Sequence, residues 1–204
     1  YLVALKYYDI VKRGRPEEIT VRIEELRKLV DDHFEQEEFL SALECSVELM
    51  SHHADEVTFD DIFKKGLCHF KLEEDAEAIG CFNRALERDP DNVMALTNKG
   101  ICLFNLQKTE EAFQVFNMAI KINPKVFPPW HYMGLHYLRT YIRTGDLAAM
   151  VKMVNCYRQV VGMAPDFGGF TIHDPVNEAD YSIESFLSLH QDVKDLPVDI
   201  LTSI

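Results

Sequence analysis

Self-similarity at a period of 34 residues constrains this chain more than any other property. Gly66, Gly100 and Gly134 are spaced by that interval, and Ile62, Leu96 and Trp130 each precede one of them by four residues. At the same offset Ala78 aligns with Ala112, Phe82 with Phe116, Ala85 with Ala119 and Pro90 with Pro124, while Leu86 and Ile120 match in kind. A fixed period of this length marks a chain built from repeated units. Each is too small to bury its apolar face alone and so stacks on its neighbours.

Within a unit the spacing predicts a helical hairpin. Positions four, eight and eleven share one face of a first helix, and positions twenty, twenty-four and twenty-seven share one face of a second. Small residues at the contact positions let the two axes approach, and large ones fill the space that remains. Pro90 and Pro124 end second helices, because proline cannot continue a helix interior. Asn92 is placed to cap the helix that follows. The chain is expected to be all-α.

The third unit is longer, since Pro124 to Pro165 spans 41 residues, an excess of seven. A turn at Thr144-Gly145-Asp146 divides the excess between two helices, adding about one turn of 3.6 residues to each. Tyr141 then continues the stripe of Tyr137, and Ile142 that of Leu138. Upstream, 16–58 reads as a degenerate unit with helices over about 17–34 and 36–53, and Phe39, Ala42 and Leu49 fall near positions 17, 20 and 27. Residues 1–15 read as a short helix and linker broken at Gly14-Arg15-Pro16. Downstream, Gly168-Gly169 interrupts the chain, and Asp174-Pro175 looks like a helix start. A capping helix over about 176–191, with Ile183, Phe186, Leu187 and His190 on one face, is expected to cover the last repeat. Asp195 to Ile204 is expected to be an extended arm. The expected organisation is one domain, 1–204, divided as 1–15, 16–58, 59–92, 93–126, 127–167 and 168–204.

The pattern resembles the tetratricopeptide repeat, which has a bulky residue at position four, Gly at eight, an aromatic at eleven, Ala at twenty, an aromatic at twenty-four, Ala at twenty-seven and Pro at thirty-two. Residues 59–92 carry Ile62, Gly66, Ala78, Phe82, Ala85 and Pro90, with His69 departing at eleven. Residues 93–126 carry Leu96, Gly100, Leu103, Ala112, Phe116, Ala119 and Pro124, and the next unit opens with Trp130, Gly134 and Tyr137. The resemblance implies a right-handed superhelix of stacked antiparallel hairpins, with first helices lining a concave groove. It also implies binding of a protein or peptide rather than catalysis.

The groove positions are Phe63, Leu67 and Phe70 in one unit and Met94, Thr97, Ile101, Phe104 and Asn105 in the next. His131, Leu135, Leu138 and Arg139 follow in the third. So apolar a face suits an amphipathic helix or an extended apolar peptide. The same face could be filled by the chain's own termini. The carboxylate clamp of some tetratricopeptide co-chaperones does not fit, because its five positions fall on Phe63, Leu67, Asn98, Pro128 and Tyr132, of which Asn98 alone matches. The functional expectation is therefore an adaptor or scaffold. A chaperone for one secreted or membrane client is an alternative, and a scaffold self-assembling through its terminal arm as a homo-oligomer is another.

A net charge of −13 argues against nucleic acid and anionic membrane as partners and favours a peptide with basic flanks. No apolar run reaches the length of a membrane span. Cys45, Cys81 and Cys156 fall at position 23 of their units and Cys68 and Cys102 at position ten, beside the hairpin cores. They read as buried thiols in a reducing, cytoplasmic setting. The start at Tyr1 rather than Met leaves an earlier targeting segment open. The eight histidines show no ligand spacing, so no metal, cofactor or enzymatic activity is expected. Gly100→Leu should unfold or severely destabilise the protein in a thermal melt, because it fills the closest approach of a hairpin.

Overall fold

The computed structural model describes residues 16–163, 171–174 and 179–182. The elements are α1 (Pro16–Glu35), α2 (Phe39–His52), α3 (Phe59–Lys71), α4 (Asp75–Arg88), α5 (Val93–Asn105), α6 (Thr109–Ile122), α7 (Phe127–Thr144), α8 (Leu147–Met163), β1 (Thr171–Asp174) and β2 (Ala179–Ser182), with a 3-10 turn at Ala54–Glu56. The chain divides into two compact units, Tyr1–Ala95 and Leu96–Ile204. In the first, α1 packs on α2, α2 on α3, and α3 on α4; in the second, α6 packs on α7 and α7 on α8. The helical repeat is all-α, as its periodicity requires.

The three hairpin turns after α1, α3 and α5 are copies of one another. Glu37, Glu73 and Gln107 adopt left-handed backbone, with φ of 59°, 61° and 62°. The following N–H of Glu38, Glu74 and Lys108 donates to the carbonyl of His33, His69 and Leu103 at 2.8–2.9 Å. This equivalence fixes the register of the degenerate first hairpin. Five residues beyond each left-handed position stand Ala42, Ala78 and Ala112, all fully buried. The expected helices of 16–58 are found, the second beginning at Phe39 rather than 36 because the turn consumes Gln36 to Glu38. α4 and α6 stop two residues before Pro90 and Pro124, and Asn92 Oδ1 accepts from Ala95 N at 3.0 Å to cap α5.

Each hairpin closes through one small and one large residue. A Cβ at Gly66 would lie 2.7 Å from Phe82 Cε1, one at Gly100 2.6 Å from Phe116 Cδ1, and one at Gly134 3.1 Å from Tyr157 Cζ. Phe82 and Phe116 are completely buried, which stabilises each hairpin by about 1.5–3 kcal/mol per ring. In the first hairpin the sizes are exchanged. Val30 takes the glycine place and Ser46 the aromatic place, and Ser46 Oγ donates to the Ala42 carbonyl at 2.9 Å.

The α7–α8 hairpin is longer, as its proline spacing predicted. α7 has 18 residues against 13 in α3 and α5, and α8 has 17 against 14 in α4 and α6. Gly145, at φ 67°, closes α7 in the left-handed conformation that glycine adopts freely. Tyr137, Leu138 and Tyr141 pack along Met150, Met153, Val154, Tyr157 and Val160 of α8, so the extra turn extends the same core.

Asp61 joins the first two hairpins. Its Oδ2 accepts from Thr58 N and Oγ at 2.8 Å, completing a capping box at the start of α3. Arg27 on α1 donates to it twice, Nε to Oδ1 at 2.9 Å and Nη2 to Oδ2 at 2.8 Å. Burial alone would push the Asp61 carboxyl up. The Arg27 guanidinium and the two Thr58 bonds outweigh burial and hold it below the ordinary carboxylate value.

One expectation is corrected. Within the segment read as a capping helix over 176–191, Ala179–Ser182 is a strand, paired antiparallel with Thr171–Asp174, Ile172 opposite Tyr181 and His173 opposite Asp180. Asp followed by Pro opens a turn as readily as a helix, and Thr171, Ile172 and Tyr181 are strand-favouring residues. The short helix and linker of 1–15, the remainder of 176–191 and the arm from Asp195 lie outside the described residues.

Gly66→Ala should lower stability by about 1–3 kcal/mol, because the added methyl meets Phe82. Gly80→Ala on the exposed face of α4, where a Cβ meets nothing within 4 Å, should raise it by about 0.5–1 kcal/mol. Chemical denaturation of the two variants checks the register directly. Arg27→Leu should cost about 1–3 kcal/mol at neutral pH, since a buried carboxylate loses two charge-assisted hydrogen bonds. Because the folded Asp61 pKa is depressed, the paired carboxylate stabilises the fold above its unfolded value, near 3.8, and that contribution is lost as pH falls through the lower folded value. The gap in melting temperature between wild type and Arg27→Leu should therefore be widest at neutral pH and narrow as pH falls below 3.8.

Candidate protein-binding surfaces

The residues expected to face a groove do not all remain available. In the first unit Phe63 is buried, its ring 5.6 Å from that of Phe82, so it belongs to the hairpin core. Leu67 and Phe70 stay half-buried, and Met94 is 63% exposed. In the second unit Thr97 and Ile101 are buried, and the Thr97 hydroxyl finds no hydrogen-bond partner among the described residues. Leu138 packs on the core of α8. Phe104 is half-buried with its ring 5.3 Å from Tyr132, and His131 stacks on Phe127 at 5.7 Å. Leu135 is half-buried, and Asn105 and Arg139 are exposed. Spacing places these residues on one side of the first helices but does not say how deeply each is covered.

Each unit carries a cleft. In the first, a cleft of about 260 Å³ is lined by Arg27, Val30, Asp31, Ser46, Leu49, Thr58, Asp60, Asp61 and Lys64. It opens where Val30 and Ser46 replace the Gly and aromatic of the other hairpins. Its cations are neutralised in place, Arg27 on Asp61 and Lys64 Nζ on Asp31.

In the second, a cleft of about 380 Å³ is lined by Phe104, Gln107, Thr109, His136, Arg139, Thr140 and Arg143. Neither Arg139 nor Arg143 has an ion-pair partner among the described residues. The His136 ring makes edge contacts with Phe113 at 5.1 Å and Tyr137 at 5.6 Å. Burial holds His136 below its ordinary value; Glu110 pulls it up and Arg143 and Arg139 push it down. It is therefore an uncharged ring at neutral pH.

Phe104 and Arg139 were assigned to the groove by repeat position, whereas His136, Arg143, Gln107, Thr109 and Thr140 were not. A signal for them existed. His136, Arg139 and Arg143 are spaced three and four residues apart, which places them on one helical face. From 112 to 163, moreover, Lys121, Lys125, Arg139, Arg143, Lys152 and Arg158 stand against Asp146 alone. The net charge of the whole chain conceals this local basic excess.

All five cysteines are free thiols, and four are buried. Burial pushes Cys68 up to about 11 and Cys156 up to about 12, so both stay protonated and unreactive at neutral pH. His69, the departure at position eleven, bonds Glu74 through Nδ1 at 2.6 Å across the hairpin turn, and His33 repeats the contact with Glu38 at 2.7 Å. These histidines staple turns. No group of residues that could hold a metal occurs among those described, and no described helix is long and apolar enough to cross a membrane.

Residues 63–126 match the family model of the tetratricopeptide repeat. No curated protein matches the chain in sequence. Among solved structures the chain is similar to a crystal structure of MamA protein, with TM-score 0.63 and 15% identity over 88% of this chain and 86% of that one. It is also similar to a MamA RS-1 ArsTM double mutant, with TM-score 0.61 and 16% identity over 88% and 89%. A further crystal structure of MamA gives TM-score 0.60 and 16% identity over 72% and 81%. At such identities the likeness is one of fold. The 34-residue period, the shared hairpin turn, the glycine–aromatic contacts and the family match converge: residues 63–126 are tetratricopeptide repeats, and the helical hairpins around them share that type of fold.

Proposed function

We propose that the chain is a protein-binding adaptor or scaffold with no catalytic step of its own, and that it holds an apolar helix or extended peptide on the first-helix faces of its hairpins. One observation carries this reading. Leu67, Phe70, Phe104 and Leu135, at the ninth and twelfth repeat positions, remain partly exposed after the hairpins have closed their cores. Leucine and phenylalanine recurring at fixed spacing supply anchors that a partner can bury, each worth about 1.5–3 kcal/mol when fully covered. Five free thiols suit a reducing compartment.

Selection from a displayed peptide library against the full chain tests the reading. Leu67→Glu and Leu135→Glu change partly exposed side chains, so each variant should keep its melting temperature within about 2–4 °C. At least one should lose the selected peptides. If no peptides are selected, or if both variants retain them undiminished, these faces do not bind partners.

A further inference from the structure

We propose that the cleft of the second unit, between the α5–α6 turn and the outer half of α7, is an acid-binding site that takes an extended segment of a protein partner carrying two carboxylates two residues apart. The inference rests on the adaptor reading and adds the chemistry of what is bound.

The charge pattern is the first support. Elsewhere the arginines and lysines that approach acids are paired with them, Arg22 with Glu48, Arg27 with Asp61 and Lys64 with Asp31. Arg139 and Arg143 line a cleft and have no such partner among the described residues. They sit in the stretch from 112 to 163 where bases outnumber acids, within a chain of net charge −13. Glu110, at the start of α6, opposes them at His136. An unpaired guanidinium pair at a concave surface is complementary to carboxylates, which it binds with two parallel N–H donors each.

Spacing is the second support. Residues four apart on a helix are about 6 Å apart along its axis, and alternate residues of an extended strand are about 6.7 Å apart. Carboxylates at the first and third residues of an extended segment therefore meet Arg139 and Arg143 together. The Thr140 hydroxyl already donates to the His136 carbonyl at 3.0 Å, which leaves the Gln107 amide and the Thr109 hydroxyl to donate to the same segment. The Phe104 ring provides an apolar wall for the residue between the two acids. A long polyanion such as RNA would meet the repulsion of the whole acidic chain, whereas a short segment feels charges only within about 8 Å at physiological salt.

The test is fluorescence anisotropy of the full chain with a labelled, unstructured peptide centred on Glu-Leu-Glu, beside the same peptide with Gln-Leu-Gln. The acidic peptide should bind at least about tenfold tighter, and its affinity should fall as salt rises from about 0.05 to 0.3 M. The double variant Arg139→Gln/Arg143→Gln should lose the preference, and Lys121→Gln should keep it. Equal binding of the two peptides, or unchanged acidic-peptide binding by the double variant, overturns the proposal. So does tighter binding of a single-stranded RNA oligomer that depends on the same two arginines. If the acidic peptide fails while library-selected peptides still bind and are lost in Leu135→Glu, this inference alone falls. If no peptide of either kind binds, the adaptor reading falls with it.

Discussion

A small residue facing an aromatic ring sets the distance between the two helices of a hairpin, and most of this structure depends on that contact. Gly66 against Phe82 and Gly100 against Phe116 leave no room for a Cβ. The rings are completely buried as a result, and the alanines at 78, 85, 112 and 119 pack with no exposed surface. Each of these two hairpins therefore closes on its own, through a contact between residues 16 apart. Side chains on the other face of the first helix are not consumed by that closure, and this is the physical origin of a partly exposed apolar row in a repeat protein.

Where the rule is relaxed, the consequences are visible. Val30 and Ser46 exchange bulk across the first hairpin, and the lost ring leaves a cleft lined by charged residues. The Arg27–Asp61 and Lys64–Asp31 pairs bring α1 to α3 beside that cleft. Asp61 serves two purposes, capping α3 and binding Arg27, which is why a carboxylate is tolerated in so buried a place. In the α7–α8 hairpin the glycine–aromatic contact is looser, at 3.1 Å from Tyr157, and the longer helices gain their contact from Tyr137 and Tyr141 instead. That lengthening carries Arg143 one turn beyond Arg139, and the two line the cleft on the second unit.

Charge is distributed against the grain of the composition. The acid excess gives the chain a pI near 5.0, yet α6 through α8 carry mostly bases. Regions of both signs therefore coexist on one acidic chain. A single net charge is a poor guide to partner chemistry here, because screening confines each charged group to its neighbourhood.

The sequence by itself determined the class of fold, the repeat period and the lengthening of the third repeat. Each of these follows from local spacing: period, proline position and the distance between breakers are properties of the chain before it folds. It also determined which residues share a helical face. Only the tertiary structure decided which of those residues remain open. Phe63, Thr97 and Ile101 share the face of Phe104 and Leu135 in the repeat count, but they are buried while the others are not. The tertiary structure likewise decided that Arg27 reaches Asp61, that Arg139 and Arg143 line a cleft without an ion-pair partner among the described residues, and that Ala179–Ser182 pairs as a strand. Periodicity fixes direction around an axis, whereas burial and charge pairing depend on what arrives from elsewhere in the chain. A one-dimensional pattern therefore cannot state them.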